Sequence, residues 1–466
     1  MTSVFFRVNF LAGSLKGQTY MIEEYLSQNE SKIVEFKENT RSLSGIVKTV
    51  VAFANTSGGV LLIGVKDKTK EIVGVPNSLH EEERIANAIS DSVAPLIIPD
   101  IEIHAYRDRE LIIIRVPHAA GPFYLKSEGS KKGVYIRFGS TNRIADDEML
   151  NSLKLFSENR AYDELPSPKG MLDEEAIKKA FAIVKKYPTK KQLEALNILT
   201  EHLGKSINTN GGTLLFGLNR LTLFPDALIR CARFKGITKE KIIDSQEIIS
   251  SLPFAIGEVL AFIEKNTSIE SIIGKIHRQD IPEYPPFALR EAVINAVLHS
   301  DYSIKGCYIQ IAIFDDRIEF TNPGGLPFGQ TIQKALLGFS KLRNRVIGRV
   351  FKELKLIEQW GSGLQRILAV CEKEGLNIPL IEEHNNQFRL TLYGKRTQQR
   401  QLLIWEEVFI DHLEEKQSIT TKEAARIWNV SDRTARTRLK TMIESGRIQR
   451  VATSEKDPFA IFIIRK

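Results

Sequence analysis

The stretch Arg290-Glu291-Ala292-Val293-Ile294-Asn295-Ala296-Val297-Leu298-His299 decides how the second half of the chain is read. A helix stacks residues four apart, so Glu291, Asn295 and His299 share one face, while Ala292, Val293, Ala296 and Val297 form a face suited to a core. A polar stripe of this kind is commonly just a partly exposed edge, and its surroundings must decide whether it does more.

Downstream, Ile309, Ile311 and Ile313 alternate as in a half-buried strand, Asp315-Asp316-Arg317 turns the chain, and residues 318–321 return it to Asn322-Pro323-Gly324-Gly325. Further on, Trp360-Gly361-Ser362-Gly363-Leu364 opens a second helix with Leu364, Ile367, Leu368 and Cys371 at helical spacing. Glycines at a helix start let backbone N–H groups approach a phosphate, whose charge the helix dipole favours. Lys341, Arg343 and Asn344 lie between the two glycine motifs.

This order of elements resembles the GHKL ATPase superfamily over residues 280–393, in the subgroup joined to Schlafen AlbA-like domains in bacterial proteins. The resemblance implies a GHKL α/β sandwich binding ATP and Mg2+. Glu291 would orient or deprotonate water, Asn295 would ligate Mg2+ through its carbonyl oxygen, and His299 would be a supporting polar contact. Gly324 and Gly325 occupy the first glycine motif and Gly361 and Gly363 the second, while Lys341, Arg343 and Asn344 fall where such proteins carry a lid that reaches phosphate. There is one departure: where most GHKL proteins offer an Asp to the adenine amino group, this chain has Asn322.

Residues 29–160 read as a separate mixed α/β domain. A strand over 33–37, a helix over 43–55, a Gly58-Gly59 turn into a buried strand over 60–65, a helix over 81–93 and strands over 101–105, 111–116 and 134–138 are expected. The segments Val34-Glu35-Phe36-Lys37, Phe53-Ala54-Asn55-Thr56-Ser57-Gly58-Gly59, Leu62-Ile63-Gly64-Val65 and Tyr135-Ile136-Arg137-Phe138-Gly139-Ser140-Thr141 resemble the Schlafen AlbA-like domain. That resemblance implies DNA or RNA binding, with Tyr124, Lys126, Lys131, Lys132, Tyr135, Arg137 and Arg143 available to phosphates and bases. It also implies an alternative, a nuclease in which Glu30, Glu35 and Asp67 hold Mg2+ or Mn2+ and Lys37 steadies the scissile phosphate. The same residue types are ordinary on strand edges and loops, so a pure binding module stays open.

Residues 1–28 read as an N-terminal extension without the apolar run and cleavage site of a signal peptide. Leu165-Pro166-Ser167-Pro168-Lys169-Gly170 marks a linker, and residues 170–279 a mixed helical connector containing the strand-like Gly212-Thr213-Leu214-Leu215-Phe216-Gly217. In residues 402–466, Thr420-Thr421-Lys422-Glu423 has capping-box spacing before a short helix, Ser431 precedes a second helix, and a hairpin follows. This tail resembles a winged helix-turn-helix, which implies that Arg433, Arg436 and Lys440 enter a DNA groove while Arg438 and Arg450 meet phosphate; contact with a protein is the competing use of such a fold.

Composition sets the frame. The formal charge is +8, and residues 394–466 hold 15 Lys/Arg against 10 Asp/Glu, so the tail carries most of the excess that would favour a polyanion. Three cysteines without CxxC spacing exclude a disulfide framework and argue against zinc, which suits a reducing cytoplasm. No apolar run approaches the roughly 20 residues of a membrane span. The expectation is an α/β multidomain protein, an ATP-responsive transcriptional regulator that binds DNA as a homodimer. The alternative is an ATP-regulated nuclease acting on RNA or DNA, in the context of phage defence.

Overall fold

The computed structural model describes residues 22–267, 269–273, 278–357, 363–384, 386–395, 409–410, 412–414, 416–444, 447–452, 457 and 460–464. The N-terminal domain opens with strand β1 (Val34–Lys37), helix α1 (Leu43–Thr56) and strand β2 (Gly59–Ile63). Ser42 caps α1 by accepting from Gly45 N–H, and Gly58 makes the turn into β2 at φ +72°, a left-handed conformation that glycine adopts freely. Helix α2 (Ser78–Ser92), strands β3 (Asp100–Tyr106) and β4 (Arg109–Val116), a hairpin of β5 (Tyr135–Phe138) and β6 (Thr141–Ile144), and helix α3 (Asp147–Ser157) complete it. Strands pair in the order β1-β2-β4-β3, with β1 and β2 parallel. Helix α1 packs Ile46, Val50 and Phe53 against Leu61, Ile63, Ile112 and Ile114 of this sheet.

The run Gly212–Gly217, expected as a strand, lies in helix α4 (Asn210–Phe216) and its C-cap. A short apolar run buried on every side carries no periodicity to separate the two states, and here Thr209 decides by accepting from Gly212 N–H at 2.9 Å, starting a helix. All seven residues of α4 are buried.

Strands β7 (Ile229–Phe234) and β8 (Ile242–Ile248) and helix α5 (Leu252–Asn266) follow, then helix α6 (Pro286–His299) and strands β9 (Ile309–Ile313) and β10 (Arg317–Pro323). After helices α7 (Arg345–Glu353) and α8 (Gly363–Lys373), strands β11 (Leu380–His384) and β12 (Gln387–Tyr393) close a six-stranded sheet ordered β8-β7-β9-β10-β12-β11. The connector therefore shares a sheet with the region read as beginning at residue 280: Ile229 pairs with Ile309 and Cys231 with Ile311 in parallel register. One core runs from Ile177 to Leu392, so the boundary expected at 280 does not coincide with the edge of a hydrophobic core.

The segment read as a linker is tied down by Ser167 N–H to Asn208 O (2.7 Å) and Asn210 N–H to Leu165 O (2.8 Å). Just before it, fully buried Asp163 accepts from the amides of Arg345 (3.0 Å), Val346 (2.6 Å) and Ile347 (3.1 Å), capping α7 from a distant part of the chain. The tail holds β13 (Ile419–Thr420), helices α9 (Thr421–Ile427) and α10 (Asp432–Glu444), and strands β14 (Ile448–Val451) and β15 (Ile461–Ile464), paired β13-β15-β14. The expected capping box is present, with Thr420 and Glu423 satisfying each other's amides.

Asp163→Ala should lower stability by about 2 kcal/mol in denaturant unfolding, because three helix amides lose their buried acceptor. Burial pushes the Asp163 carboxyl up to about 7 against the pull of those amides. The folded chain then keeps a proton that the unfolded chain releases near pH 4, so this group's contribution to stability is full below about pH 4 and declines as pH rises through about 7. Asp163→Asn should flatten that part of the stability profile.

Candidate nucleotide site

Helix α6 turns its small apolar side, Ala288, Ala292, Ala296 and Val297, into the core and leaves Glu291, Asn295 and His299 along a cavity of about 320 Å3. Alternate residues of neighbouring strands form the opposite wall: Phe320 and Asn322 from β10, Leu390 and Phe388 from β12, in register as Phe320↔Leu390 and Asn322↔Phe388. Glu291 and Asn295 face one another, Asn295 Nδ2 lying 3.4 Å from Glu291 Oε1.

Helix α8 begins against this pair. A Cβ built at Gly363 would overlap Glu291 Oε1 and stand 3.2 Å from Asn295 Nδ2, so the second glycine motif is glycine here because the N-terminus of α8 has no room for a side chain beside α6. Gly361 lies outside the described residues.

The first glycine motif is held differently from the expectation of free amides. Gly324 has φ +83° and donates to Asn386 O (2.8 Å), Gly325 N–H to Asn386 Oδ1 (3.2 Å) and Leu326 N–H to Glu383 Oε1 (3.0 Å). Arg343, expected at phosphate, donates to His299 O (2.9 Å) and Gly325 O (2.8 Å). It ties the C-terminal carbonyl end of α6, where a cation suits the dipole, to the glycine turn. Asn344 does similar work, donating to Leu298 O and Ser300 O. Burial, followed by the charge of Arg343, lowers the His299 pKa to about 4, so the imidazole is neutral at pH 7.

The segment 327–344 between the glycine motifs rests on the N-terminal domain. Gly329 N–H bonds Thr56 O at 2.7 Å and Ser57 Oγ donates to Gln330 O at 3.2 Å. Lys341 lines both the cavity and a larger cleft of about 1360 Å3 between the domains; its ammonium donates to Phe328 O (2.6 Å) and sits 3.9 Å from the Phe156 ring centroid. Burial, then the charges of Arg345 and Lys334, brings the Lys341 pKa down to about 8. Sequence reasoning left Gln330 and Phe320 out of the site; neither carries a local motif, and strand register and lid packing alone bring them to the cavity.

In the N-terminal domain Glu35 is 5% exposed and forms ion pairs with Arg137 and Lys37. Arg137 also donates to Ser31 O (3.1 Å) and Asn142 Oδ1 (2.9 Å), and its guanidinium lies over the Phe53 ring. Glu30 accepts from Phe36 N–H (3.0 Å), and Asp67 lies 3.6 Å from Lys70. Burial pushes the Glu30 carboxyl up, with the charges of Glu35 and Asp67 adding to the effect. The three carboxylates are near enough to feel one another, yet among the described residues no three acidic, His or Cys side chains converge in a metal-holding arrangement. Tyr135 is buried, its hydroxyl donating to Glu128 at 2.7 Å. Of the residues expected to meet nucleic acid here, Lys131 and Arg143 are exposed, whereas Tyr135 and Arg137 are turned inward. In the tail, Ala435 and Leu439 of α10 are buried and Arg433, Arg436 and Lys440 are exposed.

Comparison with known proteins agrees with two of these units. Residues 30–146 match the family described as "Schlafen, AlbA_2", and residues 306–392 the family described as "Putative ATP-dependent DNA helicase recG C-terminal". The second match begins after α6, so Glu291 and Asn295 rest on the geometry above. An uncharacterized ATP-binding protein of Ureaplasma parvum is 26% identical over 149 residues, 30% of this chain and 42% of that protein's length. Among solved structures, the DIP2311 protein of Corynebacterium diphtheriae aligns over 97% of both chains at 18% identity and a TM-score of 0.43. The N-terminal domain of a RecG-related protein of Nitrosomonas europaea aligns over 28% of this chain and 93% of its own, at 25% identity and a TM-score of 0.22. No helix among the described residues is long and apolar enough to cross a membrane.

Glu35→Ala should destabilise the N-terminal domain by about 3–5 kcal/mol, the cost of leaving the buried Arg137 guanidinium without its carboxylate. Thermal or denaturant unfolding checks this, and a loss under 1 kcal/mol would show that Arg137 finds water or another partner.

Proposed function

We propose that this chain binds ATP with Mg2+ in the cavity beside α6 and uses the nucleotide to govern how it holds nucleic acid, acting in the cytoplasm as a DNA-binding transcriptional regulator and working as a homodimer. One observation carries the reading: a carboxylate and a carboxamide, Glu291 and Asn295, face each other over a mostly apolar cavity, with a helix N-terminus pressed against them through Gly363. The matches to an ATP-binding relative and to Schlafen AlbA_2 and RecG C-terminal families support it.

Within that reading Asn295 takes the metal through its carbonyl oxygen, releasing its contact with Glu291, and Glu291 orients water. Bound Mg2+ would supply charge neutralisation at the phosphates. Phe320, Phe388 and Leu390 offer the base an apolar wall that excludes water. Lys341, held over Phe156 of the N-terminal domain, is the lid cation with a pKa low enough and a position close enough to exchange that ring for a phosphate. Such an exchange loosens the lid from Thr56 and Ser57, and in this way the nucleotide reaches the N-terminal nucleic-acid module. The tail acts as a winged helix whose exposed Arg433, Arg436 and Lys440 enter a DNA groove; Lys131 and Arg143 are the outward basic groups of the first module.

Isothermal calorimetry with ATP and Mg2+ should show saturable binding that Asn295→Ala weakens at least about tenfold, the cost of roughly one metal ligand or its positioning partner. Binding to labelled duplex DNA should fall in the Arg433→Ala/Arg436→Ala double variant, with the salt dependence shallower by about two units of slope for two lost phosphate contacts. DNA affinity and salt slope that ignore both substitutions would contradict the role given to the tail.

A further inference from the structure

Asn322 sits on the wall of the nucleotide cavity, 3% exposed, between the apolar rings of Phe320 and Phe388. Among the described residues the hydrogen bond given for its carboxamide is one long contact, Nδ2 to the carbonyl of neighbouring Pro323 at 3.5 Å. A buried carboxamide carries two N–H donors and an acceptor oxygen, and leaving them without partners is costly. Lining a cavity with this capacity unspent is what a side chain does when a ligand completes its bonding. The other polar side chains of α6 along the cavity, Glu291, Asn295 and His299, lie on the opposite wall, so the apolar strand wall with Asn322 is the end suited to a planar base.

The carboxamide has a property that a carboxylate in the same seat would lack. Adenine presents an amino donor beside a ring-nitrogen acceptor, and Asn322 can accept from the first through Oδ1 while donating to the second through Nδ2. Guanine presents the reverse pair, a carbonyl acceptor beside a ring N–H donor, and the same amide turned over by its final torsion satisfies that too. A carboxylate accepts only, and it would set oxygen against the guanine carbonyl. The short bond to Pro323 O that would lock one orientation is absent, the contact being at the limit of hydrogen bonding.

We propose that Asn322 reads the base of the bound nucleotide as a donor–acceptor pair, and that the site therefore admits guanine as well as adenine nucleotides. This rests on the nucleotide reading of the cavity. The test is calorimetry of the full chain with ATP and with GTP, each with Mg2+, repeated on N322D. The wild-type chain should bind the two within about tenfold of each other, and N322D should move the ratio towards ATP by at least about tenfold, since it keeps the acceptor and loses the donor. ATP binding with GTP weaker by more than about a hundredfold would overturn the inference and leave the nucleotide site standing. A ratio in N322D that stays put or moves towards GTP would overturn the role of Asn322. A wild-type chain that binds neither nucleotide would remove the nucleotide reading itself and this inference with it.

Discussion

Helix α6 has to satisfy two neighbours at once, and much of the second half of the molecule is arranged by that constraint. Its alanine and valine face must be close-packed against the six-stranded sheet, while Glu291 and Asn295 cannot be buried in the same apolar contact without partners. The cavity between α6 and strands β10 and β12 resolves the conflict by giving the polar face its own space. Small side chains follow from the same geometry: Gly363 lets α8 close one side of the cavity, and Arg343 and Asn344 collect the carbonyls left over where α6 ends.

The N-terminal domain is attached to this site through the lid. Segment 327–344 bonds Thr56 and Ser57 at the C-terminal end of α1, and Lys341 rests on Phe156 of α3. Asp163, in the stretch that joins the two units, fixes the start of α7 immediately after the lid. A rearrangement at one end of the lid therefore has covalent and hydrogen-bonded continuity with the other domain, the physical requirement for coupling between two sites.

Legibility in the sequence followed the range of the interaction. The stacking of Glu291, Asn295 and His299 depends on helical period alone and could be read from ten residues, as could the Thr420 capping box and the strands built on alternating isoleucines. Arg343 and Arg137 were read as outward groups for phosphate because a basic residue in a loop or on a strand is usually solvated; each is satisfied instead by partners far along the chain, His299 and Gly325 for one and Glu35 for the other. Glu35 illustrates the same limit, since no local pattern distinguishes a metal ligand from half of a buried ion pair. The connector was harder still: whether β7 joins the sheet through β9 is a matter of tertiary register. Short α4 shows that a fully buried apolar run is ambiguous until its cap is recognised.

The central claim, that a nucleotide beside α6 is felt by the N-terminal domain through the lid, is tested most directly by amide hydrogen exchange of the full chain with and without saturating ATP and Mg2+. The account predicts slower exchange in α6 and at the start of α8, accompanied by altered exchange both in residues 327–344 and in the end of α1 that they contact. Exchange that slows around α6 while the end of α1 stays unchanged would contradict the coupling, and exchange unchanged everywhere would contradict the nucleotide site.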